Sequence, residues 1–356
     1  RNGKPPPIAA LTGTASRAVL RDILADLDID QHNPECVIRP DSFDRNELKF
    51  YVLKSEQPSF SKSTLEGALR SLPDKFHVPS GEFFRTNGEK TFSGIVFVPF
   101  VGSNAFLPYG VRNTQEVVEE ATNEICTIFG GKNPYGKGKN SYGKGYWETE
   151  KRKNVRDFKY NKISLLVSTK AYGMGIDKPN IRFTIHYGIP GSLESFYQEA
   201  GRAGRNRKDA FCGIVFSEYS ENRSNQLLNP GNTLEQLSSL FEENSINRSE
   251  RDDVNRQLYF HLESFTGIED EIESISNVLD VIQRLDKDHS LEITFDNDNK
   301  KKQEKALYRL TRVGVLKDYE VDYGRKTFTI HIKAFDLAYS KDALLNYVIS
   351  TSPGRG

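Results

Sequence analysis

The sequence predicts an α/β fold, in which a parallel-sheet domain precedes a helical segment and a small domain that ends in a β-hairpin. Two observations predict the sheet: short apolar runs typical of buried strands recur between residues 49 and 216, and helical patterns separate them. A third observation predicts the remainder. Beyond about residue 221 apolar residues recur at helical spacing, and alternating residues near 315–332 flank a Tyr-Gly-Arg-Lys turn.

Five apolar runs fit strands of a sheet, and the last four of them fit strands that are buried on both faces. They are residues 49–53 (KFYVL), 92–98 (FSGIVFV), 163–167 (ISLLV), 181–186 (IRFTIH) and 211–216 (FCGIVF). Residues 8–11 predict the end of a further short strand, which opens into a turn of small residues at 12–16. The helical spacing at residues 20–27 then predicts an amphipathic helix.

Apolar residues at helical spacing predict the helices between and after these strands. The clearest sets are Val118, Ala121, Ile125 and Ile128, ended by Gly130 and Gly131; Leu234, Leu237 and Phe241; and Ile268, Ile272, Ile275, Leu279 and Ile282. A short strand at 291–295, a helix that ends at Gly314 and a hairpin over 315–332 complete the pattern. A helix followed by a ribbon with a basic tip is typical of winged-helix domains, although a small α+β domain without a nucleic-acid role also fits.

Composition limits the classes of function. The 356 residues suffice for two or three domains, and 49 basic against 49 acidic residues exclude a globally basic nucleic-acid-binding surface. The polar, proline-rich start predicts no signal peptide, and no apolar run is long enough to span a membrane. Cys36, Cys126 and Cys212 are isolated, so we expect no metal site and an intracellular location, in the cytoplasm, nucleoid or nucleus. The chain lacks an initiator Met and is expected to be a fragment.

Residues 168–180 (STKAYGMGIDKPN) directly follow a predicted buried strand, where α/β sheets bind their ligands. Gly175 allows the backbone to approach a nucleotide closely, and Asp177 can accept a hydrogen bond from a hydroxyl. Three residues suit contacts with nucleic-acid phosphates: Ser168 and Thr169 offer hydroxyls and amides, and Lys170 adds a positive charge. A glycine-rich loop of this kind is also often an ordinary turn.

Residues 198–208 (QEAGRAGRNRK) contain two arginines three apart, with a glutamine before them. Gln198, Arg202 and Arg205 have the spacing of one helical face, while Leu193, Phe196, Tyr197 and Ala200 share an inward face. Gly201 and Gly204 mark the expected end of the helix. Two guanidinium groups side by side repel each other unless an anion lies between them, and their fork of donors suits phosphoryl oxygens. The alternative is a pair of ordinary surface salt bridges.

Three stretches together resemble RecQ-type superfamily-2 DNA helicases. ALTGTAS (residues 10–16), SGIVFV (residues 93–98) and the contiguous block at residues 165–205 are similar to motifs III, IV, V and VI of that family. The long block is highly specific, and the two short stretches agree with it in order and spacing. The resemblance covers about residues 8–216.

The resemblance implies two RecA-like domains that bind ATP and Mg²⁺ between them and move 3′ to 5′ along DNA, unwinding duplexes in repair and recombination. The implied domains are the end of the first RecA-like domain (1–45), the second RecA-like domain (46–220), a helical segment (221–285), a winged-helix domain (286–345) and a tail (346–356). The main ATP-binding motifs of the family would precede residue 1. We therefore expect this chain alone not to hydrolyse ATP.

The resemblance also assigns roles to individual residues. Arg202 and Arg205 would reach the γ-phosphate, Gln198 would couple the ATP state to the cleft, and Gly175 and Asp177 would line the nucleotide. The expected nucleic-acid contacts, at a junction of single-stranded and duplex DNA, are Ser168, Thr169, Lys170, Thr12, Thr14 and, at the hairpin tip, Tyr323, Arg325 and Lys326. An ordinary basic hairpin tip fits the last three residues equally well.

One near match to a phosphate-binding motif and one departure from the family are visible. Residues 131–138 and 138–145 nearly spell a phosphate-binding loop, but each window ends in Gly where a Ser or Thr should hold magnesium. Since both windows follow a predicted helix, we interpret them as a basic, aromatic-rich loop that either contacts nucleic acid or is a solvated linker. No cysteine follows Cys212, so the zinc site of many family members is not expected here.

Other functions also fit the sequence. The chain could be a non-catalytic nucleic-acid-binding module, an RNA-directed superfamily-2 helicase or translocase, or a protein-interaction domain that uses the helices within 232–285.

Overall fold

The computed structural model of the protein describes most of the chain. The described residues are 7–11, 17–27, 29–30, 33–38, 44–102, 109–135, 145–172, 177–243, 252–264, 268–283, 291–295 and 299–332. The chain divides into two compact units, residues 1–260 and 261–356. No helix within the described ranges combines the length and apolar character needed to cross a membrane.

The first unit contains a six-stranded sheet whose strands are all parallel. The strands are β1 Leu48–Ser55, β2 Ser93–Phe97, β3 Cys126–Phe129, β4 Leu165–Ser168, β5 Ile181–Tyr187 and β6 Ala210–Ser217. They lie in the order β1-β6-β5-β2-β4-β3. The predicted α/β fold with a parallel sheet is confirmed, and each of the five predicted runs contributes a strand. The strand at the run 49–53, β1, lies at the edge of the sheet and is largely exposed.

Helices cover both faces of this sheet. The helices of the unit are α1 Arg17–Asp26, α2 Ser61–Lys75, α3 Ser80–Phe83, α4 Val111–Thr122, α5 Tyr146–Lys159, α6 Leu193–Ala200, α7 Glu221–Leu227, α8 Leu234–Glu243 and α9 Asp253–Ser264, the last of which extends past residue 260. On one face Val96 packs with Leu69 of α2 and Val118 of α4. On the other face Phe97 packs with Phe158 of α5. Successive residues of β2 thus enter opposite cores, as strand geometry requires.

The predicted helix through Ile128 is wrong. Helix α4 ends at Thr122, and Asn123 caps it in the left-handed conformation with a φ of 56°. Ile128 lies in β3 instead, whose backbone is bound by two side chains of α4: Gln115 Nε2 donates to the Cys126 carbonyl at 2.7 Å, and the Cys126 amide donates to Glu119 Oε1 at 2.9 Å. Since residue 131 therefore follows a strand, our expectation that both Gly-Lys windows follow a helix is also wrong.

Three smaller expectations also fail. Residues 8–11 form no strand. Leu193, expected on the inward face of α6, is 77% exposed, because it lies in the first turn of the helix, beyond the edge of the core. Trp147, expected in a solvated or base-stacking loop, is buried in α5, where its ring meets Tyr135 edge to face at 6.2 Å.

A buried carboxylate fixes the start of α9 to the parallel sheet. Asp253 Oδ2 accepts hydrogen bonds from the Ser217 amide at 2.7 Å and from the Tyr109 hydroxyl at 3.1 Å. Asp253 Oδ1 accepts from Arg256 at 2.8 Å, and both of these side chains are nearly inaccessible. The segment after the last strand is therefore held to β6 by a polar network, which helical periodicity alone does not predict.

In the second unit, the described residues form two helices and a three-stranded antiparallel sheet. Its elements are α10 Ile268–Gln283, β7 Leu291–Thr294, α11 Lys300–Arg312, β8 Leu316–Asp322 and β9 Thr327–Ile332. The strands lie in the order β7-β9-β8, and Leu307, Leu310, Phe328 and Ile330 belong to its core. The predicted helix, hairpin and short preceding strand are confirmed. The assignment of this unit as a winged-helix domain remains a prediction.

Candidate phosphate-binding site

The two candidate arginines lie on a turn that follows α6. The helix ends at Ala200, and Gly204 in the turn has a φ of 64°, a left-handed conformation that favours glycine. The expectation that glycines mark the end of the helix is confirmed. The expectation that Gln198, Arg202 and Arg205 share one helical face is wrong, because both arginines follow the helix. Gln198 is exposed on α6, Arg202 is half-buried, and Arg205 is exposed.

Arg45, just before β1, holds this turn through backbone carbonyls. Its Nη1 donates to the Gly201 carbonyl and its Nη2 to the Ala203 carbonyl, each at 2.9 Å. Its Nε donates to Glu47 Oε1 at 2.7 Å, and Glu47 is 8% exposed. The residues on either side of Arg202 are therefore bound to one guanidinium group. Sequence analysis missed Arg45, because its partners are 156 and 158 residues away.

Arg205 forms an ion pair with the other candidate loop. Its Nη1 lies 2.7 Å from Asp177 Oδ1, and the two side chains are 35% and 80% exposed. An exposed pair of this kind contributes about 0–1 kcal/mol, so an incoming anion can replace the carboxylate at small cost. Asp177, which we expected to accept a hydrogen bond from a nucleotide hydroxyl, binds an arginine in this structure.

Arg202 is more buried than Arg205 and has an unsatisfied donor. Its Nε has no hydrogen-bond partner within the described part of the chain. Burial, and after it the positive charge of Arg205, lower the pKa of the Arg202 guanidinium. An anion bound beside both guanidinium groups would offset this repulsion. This donor set fits phosphate oxygens, which accept several hydrogen bonds at once.

The candidate nucleic-acid contacts after β4 differ in accessibility. Ser168 is fully buried, and its hydroxyl donates to the Thr169 carbonyl at 2.7 Å. Thr169 is buried as well, and its amide donates to the Phe129 carbonyl at 3.4 Å. Lys170 is exposed and is therefore the residue of this trio whose side chain a phosphate can reach.

Lys170 lines a cavity of about 280 Å³ near the carboxyl ends of β2 and β5. His186 and Glu199 also line it, and His186 Nε2 lies 2.8 Å from Glu199 Oε2. This contact joins β5 to α6 beside the arginine turn. Gln257 and Phe260 of α9 complete the rim, so the helix docked by Asp253 contributes to the same cavity. The sequence carried no signal for this contribution.

At the hairpin tip, Tyr323 is 69% exposed and Lys300 Nζ lies 4.2 Å from its ring centroid. Asp322 Oδ1 accepts hydrogen bonds from the Gly324 and Arg325 amides at 2.8 and 3.0 Å, which shapes the turn. Lys326 is exposed and has a φ of 56°. The tip therefore presents an aromatic ring beside positive charges, with one carboxylate at its base.

Three predicted site residues, Gly175, Thr12 and Thr14, lie outside the described residues, as do residues 136–144 of the Gly-Lys windows. Within the described ranges, no three side chains of His, Cys, Asp or Glu form a group that could hold a metal ion.

Comparison with known proteins supports the resemblance found in the sequence. Residues 136–207 match the family model described as "Helicase conserved C-terminal domain". The matched segment includes β4, β5, α6, the glycine-rich loop and both candidate arginines.

The similar curated proteins include several DNA helicases and one protein described as a "Putative ATP-dependent RNA helicase R290", of Acanthamoeba polyphaga mimivirus, which is 30% identical over 59% of this chain and 30% of that protein. The "ATP-dependent DNA helicase hus2/rqh1" of Schizosaccharomyces pombe is 30% identical over 224 residues, which cover 62% of this chain and 13% of that protein. The "ATP-dependent DNA helicase RecQ" of Pasteurella multocida is 30% identical over 216 residues, which cover 60% and 27%. The chain thus spans about an eighth to a quarter of the length of these two DNA helicases.

One similar solved structure is that of "S. cerevisiae Dbp5 bound to RNA and ADP BeF3", at 14% identity and a TM-score of 0.35. The alignment covers 66% of this chain and 49% of that chain.

Proposed function

We propose, from the premise that this chain carries the C-terminal part of a RecQ-like superfamily-2 helicase, that it supplies the arginine-bearing half of an ATP site and couples that site to DNA. Helicases of this family hydrolyse ATP to drive strand separation. The proposal adds which residues of this chain bind the terminal phosphate and which ones contact the nucleic acid.

The observation that carries the proposal is the arginine turn. Arg45 fixes its backbone, the Nε of Arg202 lacks an acceptor among the described residues, and Arg205 is held by an exposed carboxylate. A nucleotide bound there would supply a phosphoryl group with Mg²⁺ neutralising part of its charge. Arg205 exchanges Asp177 for a phosphate oxygen. Arg202, whose neighbouring backbone carbonyls are bound by Arg45, donates from the Nε of its side chain. Two guanidinium groups so placed stabilise the negative charge on a transferring phosphoryl group.

The nucleic-acid side of the proposal uses Lys170 and the hairpin tip. Lys170 attracts the phosphodiester backbone, while the amides and hydroxyls of Ser168 and Thr169 shape the loop that carries it. Tyr323 stacks on the terminal base pair and Arg325 and Lys326 bind phosphates, as in a winged-helix domain that opens a duplex. Closing and opening of the nucleotide site would drive translocation along the strand, and the 3′ to 5′ direction is the one that the resemblance implies.

We further propose that this chain by itself does not hydrolyse ATP, because its sequence contains no complete G-x-x-x-x-G-K-[ST] loop. The measurement is phosphate release in the presence of single-stranded DNA. A DNA-stimulated rate that Arg205→Ala abolishes would overturn this part of the proposal.

Fluorescence anisotropy tests the DNA-directed function. The chain is titrated with a 3′-tailed duplex, a blunt duplex and single-stranded RNA across a salt series. We expect tightest binding to the tailed duplex, with affinity that falls steeply as salt rises. Equal binding of the three nucleic acids would contradict recognition of a DNA junction, and tightest binding to RNA would favour an RNA-directed helicase instead.

A further inference from the structure

We infer that the hydroxyl of Tyr172 is a third hydrogen-bond donor to the phosphate group that Arg202 and Arg205 bind. The inference rests on the proposed function and adds a ligand-binding residue to the same site. The ligand class is the terminal phosphate of a nucleoside triphosphate.

The ring of Tyr172 is fixed by packing. The residue is 1% exposed, and its ring meets Phe129 edge to face at 5.4 Å and Phe158 at 5.9 Å. Its hydroxyl is buried and has no hydrogen-bond partner in the part of the chain that the structure describes. Buried hydroxyl groups in folded proteins are nearly always hydrogen-bonded, so a missing ligand oxygen is a direct explanation.

A second unsatisfied donor belongs to the same site. The Nε of Arg202 is also buried and without an acceptor among the described residues. Tyr172 belongs to the same core cluster as Ala200 and Ala203, which lie on either side of Gly201 and Arg202. The positive charges of Arg202 and Arg205 also act to lower the pKa of the Tyr172 hydroxyl, against the effect of burial. Two unsatisfied donors, the Tyr172 hydroxyl and the Arg202 Nε, fit a ligand with several oxygens, and a phosphate group provides three.

The hydroxyl is a donor at neutral pH. Burial raises the pKa of Tyr172 above its usual value, and the opposing effect of the two arginines is smaller. Since the neutral form is favoured, the group keeps its proton and can donate it in a hydrogen bond to a negatively charged oxygen.

The test is Tyr172→Phe, which removes one oxygen atom and keeps the packed ring. Binding of inorganic tripolyphosphate is measured by calorimetry at constant ionic strength. We expect about tenfold weaker binding, the usual effect of one hydrogen bond to a charged ligand group. The melting temperature without ligand should stay equal or rise, since the removed hydroxyl has no partner in the described structure.

The matched control is Tyr109→Phe. Tyr109 is equally buried, but its hydroxyl donates to Asp253 at 3.1 Å. This variant should melt at a lower temperature and bind tripolyphosphate with unchanged affinity. If Tyr172→Phe changes the affinity and Tyr109→Phe changes the melting temperature, Tyr172 has a role in ligand binding and Tyr109 a structural one.

Three results would overturn the inference. Unchanged tripolyphosphate affinity in Tyr172→Phe, with a loss of affinity in Arg205→Ala, would show that Tyr172 is not a ligand-binding residue and leave the proposed function intact. If the wild-type chain does not bind tripolyphosphate, both the role of Tyr172 and the proposed phosphate site would be contradicted. A loss with a single-stranded oligonucleotide but not with tripolyphosphate would identify the ligand as a nucleic-acid phosphate.

Discussion

Asp177 would compete for Arg205 with any phosphate that enters the proposed site. The carboxylate lies 2.7 Å from the guanidinium, which is the position where an anion would bind. Because both side chains are substantially exposed, the pair is weak and reversible. In the proposed site, Asp177 is thus the placeholder anion that a phosphate would replace, and the two candidate loops contact each other through this pair.

Asp177→Asn is expected to strengthen tripolyphosphate binding about threefold, because Arg205 loses a competing carboxylate. Calorimetry at matched ionic strength measures the change. Glu120→Asn is the control, since it removes the same charge from a surface pair with Lys62 and leaves Arg205 untouched. Weaker binding in Asp177→Asn than in the control variant would contradict the role of placeholder.

At the residue level, the sequence singled out candidate residues where a motif is local, and their roles remain predictions. Arg202 and Arg205 belong to a recognisable motif, and their turn is marked by glycines. Arg45 and Tyr172 were missed because their importance depends on partners that only the fold brings near. A lone arginine before a strand, or an aromatic residue in a loop, has no pattern that distinguishes it from many others.

At the scale of elements, strands were easier to predict than helix ends. Strands buried on both faces leave continuous apolar runs, such as residues 163–167. The predicted end of α4 was wrong, because Ala121, Ile125 and Ile128 keep a helical spacing across the cap at Asn123. A left-handed residue interrupts the helix without interrupting the apolar period.

Asn123→Ala is expected to lower the free energy of unfolding by about 1 kcal/mol, since alanine is strained at positive φ. Asn123→Gly should be close to neutral, because glycine adopts this conformation freely. Urea denaturation of both variants provides the comparison. Equal stabilities for the two variants would contradict a left-handed cap at this position.

Loss of the contacts that dock α9 is expected to lower the free energy of unfolding of the first unit by a larger amount. Asp253→Ala leaves Arg256, which is 11% exposed, without its carboxylate, and should cost about 3 kcal/mol or more of unfolding free energy. Glu148→Ala, which breaks an exposed pair with Lys151, should cost less than about 0.5 kcal/mol. Similar costs in urea denaturation would show that Asp253 does not anchor the helix.

For the whole molecule, the sequence predicted the class of fold and the family but not the strand order. The order β1-β6-β5-β2-β4-β3 requires crossovers that periodicity does not specify. The antiparallel pairing of β7 with β9 is likewise a long-range feature. The specific motif block at residues 165–205 carries the resemblance to RecQ-type helicases, and the two loops within it meet through the contact of Asp177 with Arg205.

The central claim is that the arginine turn binds the terminal phosphate of ATP, and a comparison of Arg205→Ala with Arg207→Ala tests it most directly. Arg207 lies on the same turn, is 75% exposed and contacts Glu47 at 3.5 Å, so its loss removes the same charge outside the proposed site. Tripolyphosphate affinity, measured by calorimetry, should fall at least about tenfold for Arg205→Ala and less than about twofold for Arg207→Ala. Equal losses would show non-specific attraction to a basic turn and would contradict the account.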